Sequence, residues 1–302
     1  MSQDLPSLLA AGERAVFHGP PARAVGLLEQ AMALAEAEGR RAEVTAAGWL
    51  LGVALASQGR LGRAVALLEP LVGAGEQADA PEIRLFGSLA AATMASVHRQ
   101  LGRHQVAWGF DERGLGLSEG RGEAAFDCRL GLASDAVGLE DVSAARLGLD
   151  AAAELVTGRE DWWRQRVRLD WVRAEIALLV GEPTEAVGLA VAAVDRAEHS
   201  RAPRHVAKGL LFQGVAEVQV DTDAATGTLR RAASLAEGLG TLPLIWPARA
   251  LLGALLVDRA PDESARCLAS ARSAVLAIAA DLAPEIRDEW LSRPDVSALL
   301  EG

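Results

Sequence analysis

Apolar residues recur along the chain in stripes spaced by three and four. Ala24, Leu28, Ala31 and Ala35 fall at i, i+4, i+7 and i+11, one face of a 3.6-residue helix. A small residue stands twelve positions before the stripe opens. Gly12 precedes Ala24, Gly52 precedes Ala64, and Gly253 precedes Ala265. Weaker copies set Ala95 before Ala107, Ala133 before Ala145, Ala174 before Ala186, and Gly214 before Ala225 with one residue fewer. The alanines that open the second stripes are thus 24, 64, 107, 145, 186, 225 and 265, at spacings of 40, 43, 38, 41, 39 and 40. A helical period nested in a longer fixed period predicts a stack of helix pairs.

The punctuation agrees. Gly19, Gly59, Gly102 and Gly181 each lie five residues before their alanine, where a left-handed C-cap would end a first helix. Pro20, Pro21, Pro183 and Pro261 fall at or near second-helix starts, where the missing N–H matters little. Small residues on the stripes let neighbouring helices approach closely. Gly73–Gly75 and the Gly116–Gly122 region read as loop insertions between repeats. In the tail, Ile286, Trp290 and Leu291 form an apolar face opposite Arg287, Asp288 and Glu289, as a capping helix over 284–301 requires.

Leu51-Gly52, Leu55, Gly59, Ala64 and Leu68 resemble the Leu-Gly, Gly, Ala signature of tetratricopeptide repeats, as do Leu252-Gly253, Leu256 and Ala265. The likeness covers nearly the whole chain and is similar to the longer-period arrays of bacterial regulator modules. It departs from the standard pattern in its period near 40, its lack of tyrosine and its mostly absent closing proline. A HEAT-like array is the alternative at this period. The resemblance implies an all-α, right-handed α-α superhelix of about seven hairpins plus a capping helix. It is read as one domain over 1–302, with repeats near 5–39, 44–79, 84–120, 124–158, 161–200, 204–239 and 244–280.

Composition narrows the function. A formal charge of −11 disfavours general nucleic-acid binding and anionic membranes, both of which want a basic face. The longest uncharged run, Val44 to Gly59, has 16 residues and falls short of a bilayer span. Met1-Ser2-Gln3-Asp4 carries no basic stretch of the signal-peptide type, and Cys128 and Cys267 have no disulfide or metal spacing, so a cytoplasmic setting is expected. Both cysteines read as buried small hydrophobes, His199 and His205 as exposed residues flanking an inter-repeat loop, and His98 and His104, six apart, lack the spacing of metal ligands on one helical face. Lys208 is the sole lysine, and no phosphate-binding loop surrounds it. No catalytic constellation, cofactor site or metal site emerges.

One segment stands apart. Arg159 to Arg173 holds three of the seven tryptophans, with five arginines against three acids. Arg164, Arg168, Trp171 and Glu175 share one helical face. First helices of tetratricopeptide arrays line the concave groove, so the resemblance puts Trp49, Arg99 and Lys208 there as well. Trp and Arg are the types enriched at binding hot spots, and Arg pairs bidentately with carboxylates. The expected partner is a protein or peptide, acidic or bound by its C-terminus. The alternative for the cluster is that its tryptophans are inter-repeat core and its arginines pair with Glu160 and Asp170. Three functions remain open: an adaptor or regulatory scaffold, a sensor of a small molecule or signalling peptide, and a self-associating module that forms a homodimer.

Overall fold

In four of the seven helix pairs the second helix drives a leucine onto a first helix that has no side chain at the point of contact. A Cβ built on Gly12 would lie 2.7 Å from Leu28 Cγ, on Gly52 2.6 Å from Leu68 Cγ, on Gly214 2.6 Å from Leu229 Cδ2, and on Gly253 2.8 Å from Leu268 Cγ. These leucines are therefore seated on bare backbone, which brings the helix axes close. The small residue and the leucine of the repeat are one interaction.

The computed structural model describes residues 4–301. Met1, Ser2 and Gln3, which belong to the opening segment read as lacking a signal sequence, lie outside the described residues, as does Gly302. The described residues form sixteen helices and no strand. Seven pairs follow one another: α1 (Leu5–His18) and α2 (Pro21–Ala37), α3 (Arg41–Gln58) and α4 (Leu61–Gln77), α5 (Pro81–Gln100) and α6 (His104–Leu117), α7 (Gly122–Gly138) and α8 (Val142–Val156), α9 (Trp163–Leu179) and α10 (Pro183–His199), α11 (Pro203–Glu217) and α12 (Thr222–Leu239), α13 (Leu242–Leu256) and α14 (Pro261–Ala279). First helices of successive pairs also touch, α5 with α7 and α11 with α13. No helix among the described residues is long and apolar enough to cross a membrane.

The packing forms two compact units. One comprises Met1–Ala56 and Leu61–Gln165, the other Ser57–Arg60 and Arg166–Gly302. In the first unit Leu5, Leu8, Ala31, Ala35 and Ala47 form a core cluster shared by α1, α2 and α3. In the second, Ala174, Ala177, Ala186, Ala190 and Ala216 do the same for α9, α10 and α11.

Several details differ from the sequence pattern. Ala24, Ala64, Ala107, Ala145, Ala186 and Ala225 are all fully buried, but Ala265 is exposed. Ser264 takes its place, buried, with its hydroxyl donating to the Gly253 carbonyl at 2.7 Å. The seventh copy thus carries the same one-residue shortening as the sixth. Gly59, Gly102 and Gly181 adopt φ of 83°, 77° and 80°, as the left-handed cap requires. Gly19 instead is extended, because Pro20 follows and pushes its predecessor out of helical space.

Gly73–Gly75 is no loop but lies inside α4. A Cβ on Gly75 would sit 2.9 Å from the Gly87 Cα of α5, so the glycine serves a backbone contact between helices. Gly116 likewise belongs to α6. The tail is two helices, α15 (Pro284–Leu291) and α16 (Pro294–Glu301), broken where Pro294 cannot continue a helix. Both pack on α14, with Trp290 buried between elements and Arg272 Nε donating to the Leu299 carbonyl at 2.7 Å.

Candidate functional site: an aromatic cavity beside Arg164

The segment that carries α8 into α9 ends at Trp162, whose ring lies under the Arg159 guanidinium at 4.6 Å. The first turn of α9 then presents Arg164 and Gln165 toward α7 and Trp163 toward His18 of α1. Glu123 and Asp127, one turn apart on α7, face that turn together. Arg164 Nη1 donates to Asp127 Oδ2 at 3.1 Å, and Nη2 reaches Glu123 Oε2 at 3.4 Å. Gln165 Nε2 donates to the same Glu123 oxygen at 2.8 Å. Arg164 also lies over the Phe17 ring of α1 at 5.4 Å. Burial works against the arginine's charge, yet Asp127 and Glu123 outweigh it and hold the guanidinium above its ordinary range.

Around this clasp the first unit encloses a cavity of about 350 Å³. From α1 it is lined by Glu13, Arg14, Phe17 and His18, from α3 by Trp49, from α7 by Glu123, and from the end of the α8–α9 segment and α9 by Asp161 through Gln165. His18 and Trp163 meet with ring centroids 5.4 Å apart. Trp49 is steadied by its indole N–H, which donates to Thr93 Oγ1 at 3.2 Å, and by Phe86 at 6.0 Å. Four aromatic walls and fixed charges make a surface that can grip a side chain or a small organic group.

Of the seven residues singled out from the sequence, only Arg164 and Trp49 line this cavity. Arg99 does not face it. Its Nη2 donates to Asp111 Oδ2 at 2.7 Å and its Nε to Asp135 Oδ1 at 3.1 Å, both carboxylates being fully buried. His104 Nδ1 sits 3.1 Å from the same Asp135 oxygen. Gly131 makes room for this network, since a Cβ there would lie 2.5 Å from Asp111 Cγ and 2.7 Å from Arg99 Nη2.

In the second unit, Arg168 and Glu175 are half-buried on α9, but Trp171 is only 5% exposed. Trp171 stacks on His205 at 5.5 Å and tilts against Phe212 at 6.1 Å. Lys208 Nζ lies over the Trp171 ring at 4.7 Å and over Phe212 at 5.4 Å. Trp171 is therefore a packed element rather than an open groove wall. His205 is buried too, so it is not the exposed loop histidine expected, and His98 is buried where it stacks on Phe110 at 5.3 Å. Burial, with the nearby Arg103 charge, pushes the His98 pKa down to about 4. Cys128 and Cys267 are free and buried. No group of three or more potential metal ligands occurs among the described residues.

The α1 contribution was missed in the sequence. Its signal was available: Arg14 and His18 are an exposed i, i+4 pair on a helix whose other face is apolar.

No known protein family matches the chain, and no curated protein matches it at a significant level. Solved structures do. A Rap protein in complex with competence and sporulation factor aligns with a TM-score of 0.66 at 11% identity, over 99% of this chain and 80% of that one. NprR in complex with its cognate peptide NprX aligns at 0.59 and 13%, over 99% and 82%. Aspartyl phosphate phosphatase F from Bacillus subtilis aligns at 0.51 and 14%, over 100% and 84%. The chain has the all-α, tetratricopeptide-like helical-repeat fold. At these identities the likeness concerns architecture alone.

Proposed function

We propose that the chain is a non-catalytic peptide- or protein-binding module, an adaptor or regulatory unit of the cytoplasm, acting as one domain over 1–302. The observation that carries the reading is the cavity walled by Phe17, Trp49, Trp162 and Trp163 beside a fixed arginine. Aromatic and arginine side chains on a rigid helical frame are the usual anchors of peptide recognition. Two of the similar structures are complexes, one with competence and sporulation factor and one with a cognate peptide, which supports the same use of the fold here. The third is named a phosphatase, and that activity stays with it.

The expectation of an acidic partner rests on Arg164, Arg168, Trp171, Lys208 and Arg99, with Glu175 and Trp49 expected on the same groove. Arg164 and Arg99 each already bear two carboxylates, so an acidic ligand would have to compete for them.

A second reading, a sensor of a small molecule, draws support from the cavity's size, which falls in the range of small-ligand sites. Native mass spectrometry of freshly purified protein separates the two, since a retained small molecule favours the sensor. For the peptide reading, a random heptapeptide display library is panned against the immobilised chain. Selected peptides should bind Trp49→Ala and Trp163→Ala at least about tenfold more weakly, with circular dichroism unchanged. Peptides that bind both variants as well as the parent chain would reject the cavity as the site.

A further inference from the structure

The cavity's charges are unequally matched. Three carboxylates line it, Glu13, Glu123 and Asp161, against two guanidiniums, Arg14 and Arg164; just behind them Asp127 adds a fourth carboxylate and Arg159 a third guanidinium. Arg164 is shared by Asp127 and by one oxygen of Glu123. Among the described residues, the Glu13 and Asp161 side chains make no ion pair or hydrogen bond, and neither does Arg14. The mouth thus carries a surplus of negative charge over a floor of indole and phenyl faces. Ring faces are themselves electronegative and attract cations. The site already shows that attraction twice, with Arg164 over Phe17 at 5.4 Å and Arg159 over Trp162 at 4.6 Å.

Resting on the peptide-binding reading, we infer that this cavity takes the basic side chain of a bound peptide, an arginine or a lysine. Its alkyl stem would lie against Trp49 and Trp163, with its charge offered to Glu13, Asp161 and the free Glu123 oxygen. An acidic side chain in the same place would meet the surplus carboxylates, and a neutral one would leave them unmatched. The volume of about 350 Å³ admits one long side chain and the backbone that carries it.

The test uses three blocked pentapeptides of alanine with a central arginine, citrulline or glutamate, titrated into the full chain and followed by tryptophan fluorescence. Citrulline keeps the shape of arginine without its charge. The arginine peptide should bind about tenfold tighter than the citrulline peptide, and the glutamate peptide weakest. That preference should shrink to less than about threefold in the double variant Glu13→Gln with Asp161→Asn, whose exposed side chains carry no packing. Arg168→Gln, in the second unit, should leave it intact. Equal binding of arginine and citrulline peptides, or discrimination retained by the double variant, overturns the inference while leaving peptide binding in place. Failure of every peptide to perturb the tryptophans overturns both readings. Arginine methyl ester competing as strongly as the arginine pentapeptide would assign the site to a free organic cation and overturn the peptide assignment.

Discussion

Two aromatic–cation clusters, one in each unit, use the same residue types and end in opposite conditions. Beside Arg164, the rings of Trp49 and Trp163 are half-buried and wall a cavity, while the cation is locked by acids from another repeat. Around Trp171, the rings close on each other, and His205, Phe212 and Lys208 cover the indole until it is 5% exposed. The difference lies in what faces the tryptophan. Gly209 on α11, where a Cβ would stand 2.8 Å from Val194 Cγ2, lets that helix close on α10 beside the ring. Phe17 on α1 and Trp49 on α3 instead face a common cavity, at whose edge His18 meets Trp163 at 5.4 Å. Tryptophan and arginine in a sequence therefore mark a place where large surfaces meet, and the opposing helix decides whether that place is core or site.

The contrast can be broken by truncation. Trp171→Ala should cost on the order of 4 kcal/mol in a urea denaturation series, as expected of a buried tryptophan. Trp163→Ala should cost about 1 kcal/mol and lose peptide binding instead. Equal losses would erase the distinction between the clusters.

Arg164→Gln comes next, at about 3 kcal/mol, because it removes a guanidinium paired with the buried Asp127 carboxylate. Restoration of most of that stability by adding Asp127→Asn would show that the loss came from the weakened pairing of that carboxylate.

The two stacked histidines sharpen the comparison through pH. His98 is held neutral in the folded chain, with its pKa down at about 4 against an ordinary 6.5. The unfolded chain therefore binds the extra proton in that window, and the stability present above pH 6.5 is lost as pH falls toward 4. Between pH 7 and 4.5 the parent chain should lose about 2 kcal/mol more than His98→Phe, read from denaturation midpoints. Parallel pH profiles would refute the burial of His98. The smallest effect should be Lys208→Met, about 1 kcal/mol, which removes the cation over Trp171 but keeps the stem that covers it.

Much of the fold was legible because small residues must recur wherever helices touch. The stripe at Ala24, Leu28, Ala31 and Ala35 is buried as its spacing demands. What escaped depends on contacts distant in sequence. Ser264 and Ala265 are both small, so composition could not say which turns inward; the leucine at 268 decides it by sitting on Gly253. The partners of Arg164 were sought nearby at Glu160 and Asp170, whereas stacking supplies Glu123 and Asp127 from the preceding repeat. Asp170 is instead held by Arg173 and Arg196. Arg99 was read by helical register as facing the groove, and Asp111 and Asp135 draw it inward. The cavity was half legible: Trp49 and Arg164 came from residue type and register, but Phe17 and His18 belong to a helix far away in the chain.

The most direct measurement is an NMR titration of protein labelled with ¹⁵N at tryptophan, using a peptide selected from the display library. The account predicts that the indole signals of Trp49, Trp162 and Trp163 move together and saturate, while those of Trp171 and Trp290 stay in place. Saturable movement of Trp171 with the three cavity indoles unmoved would contradict it.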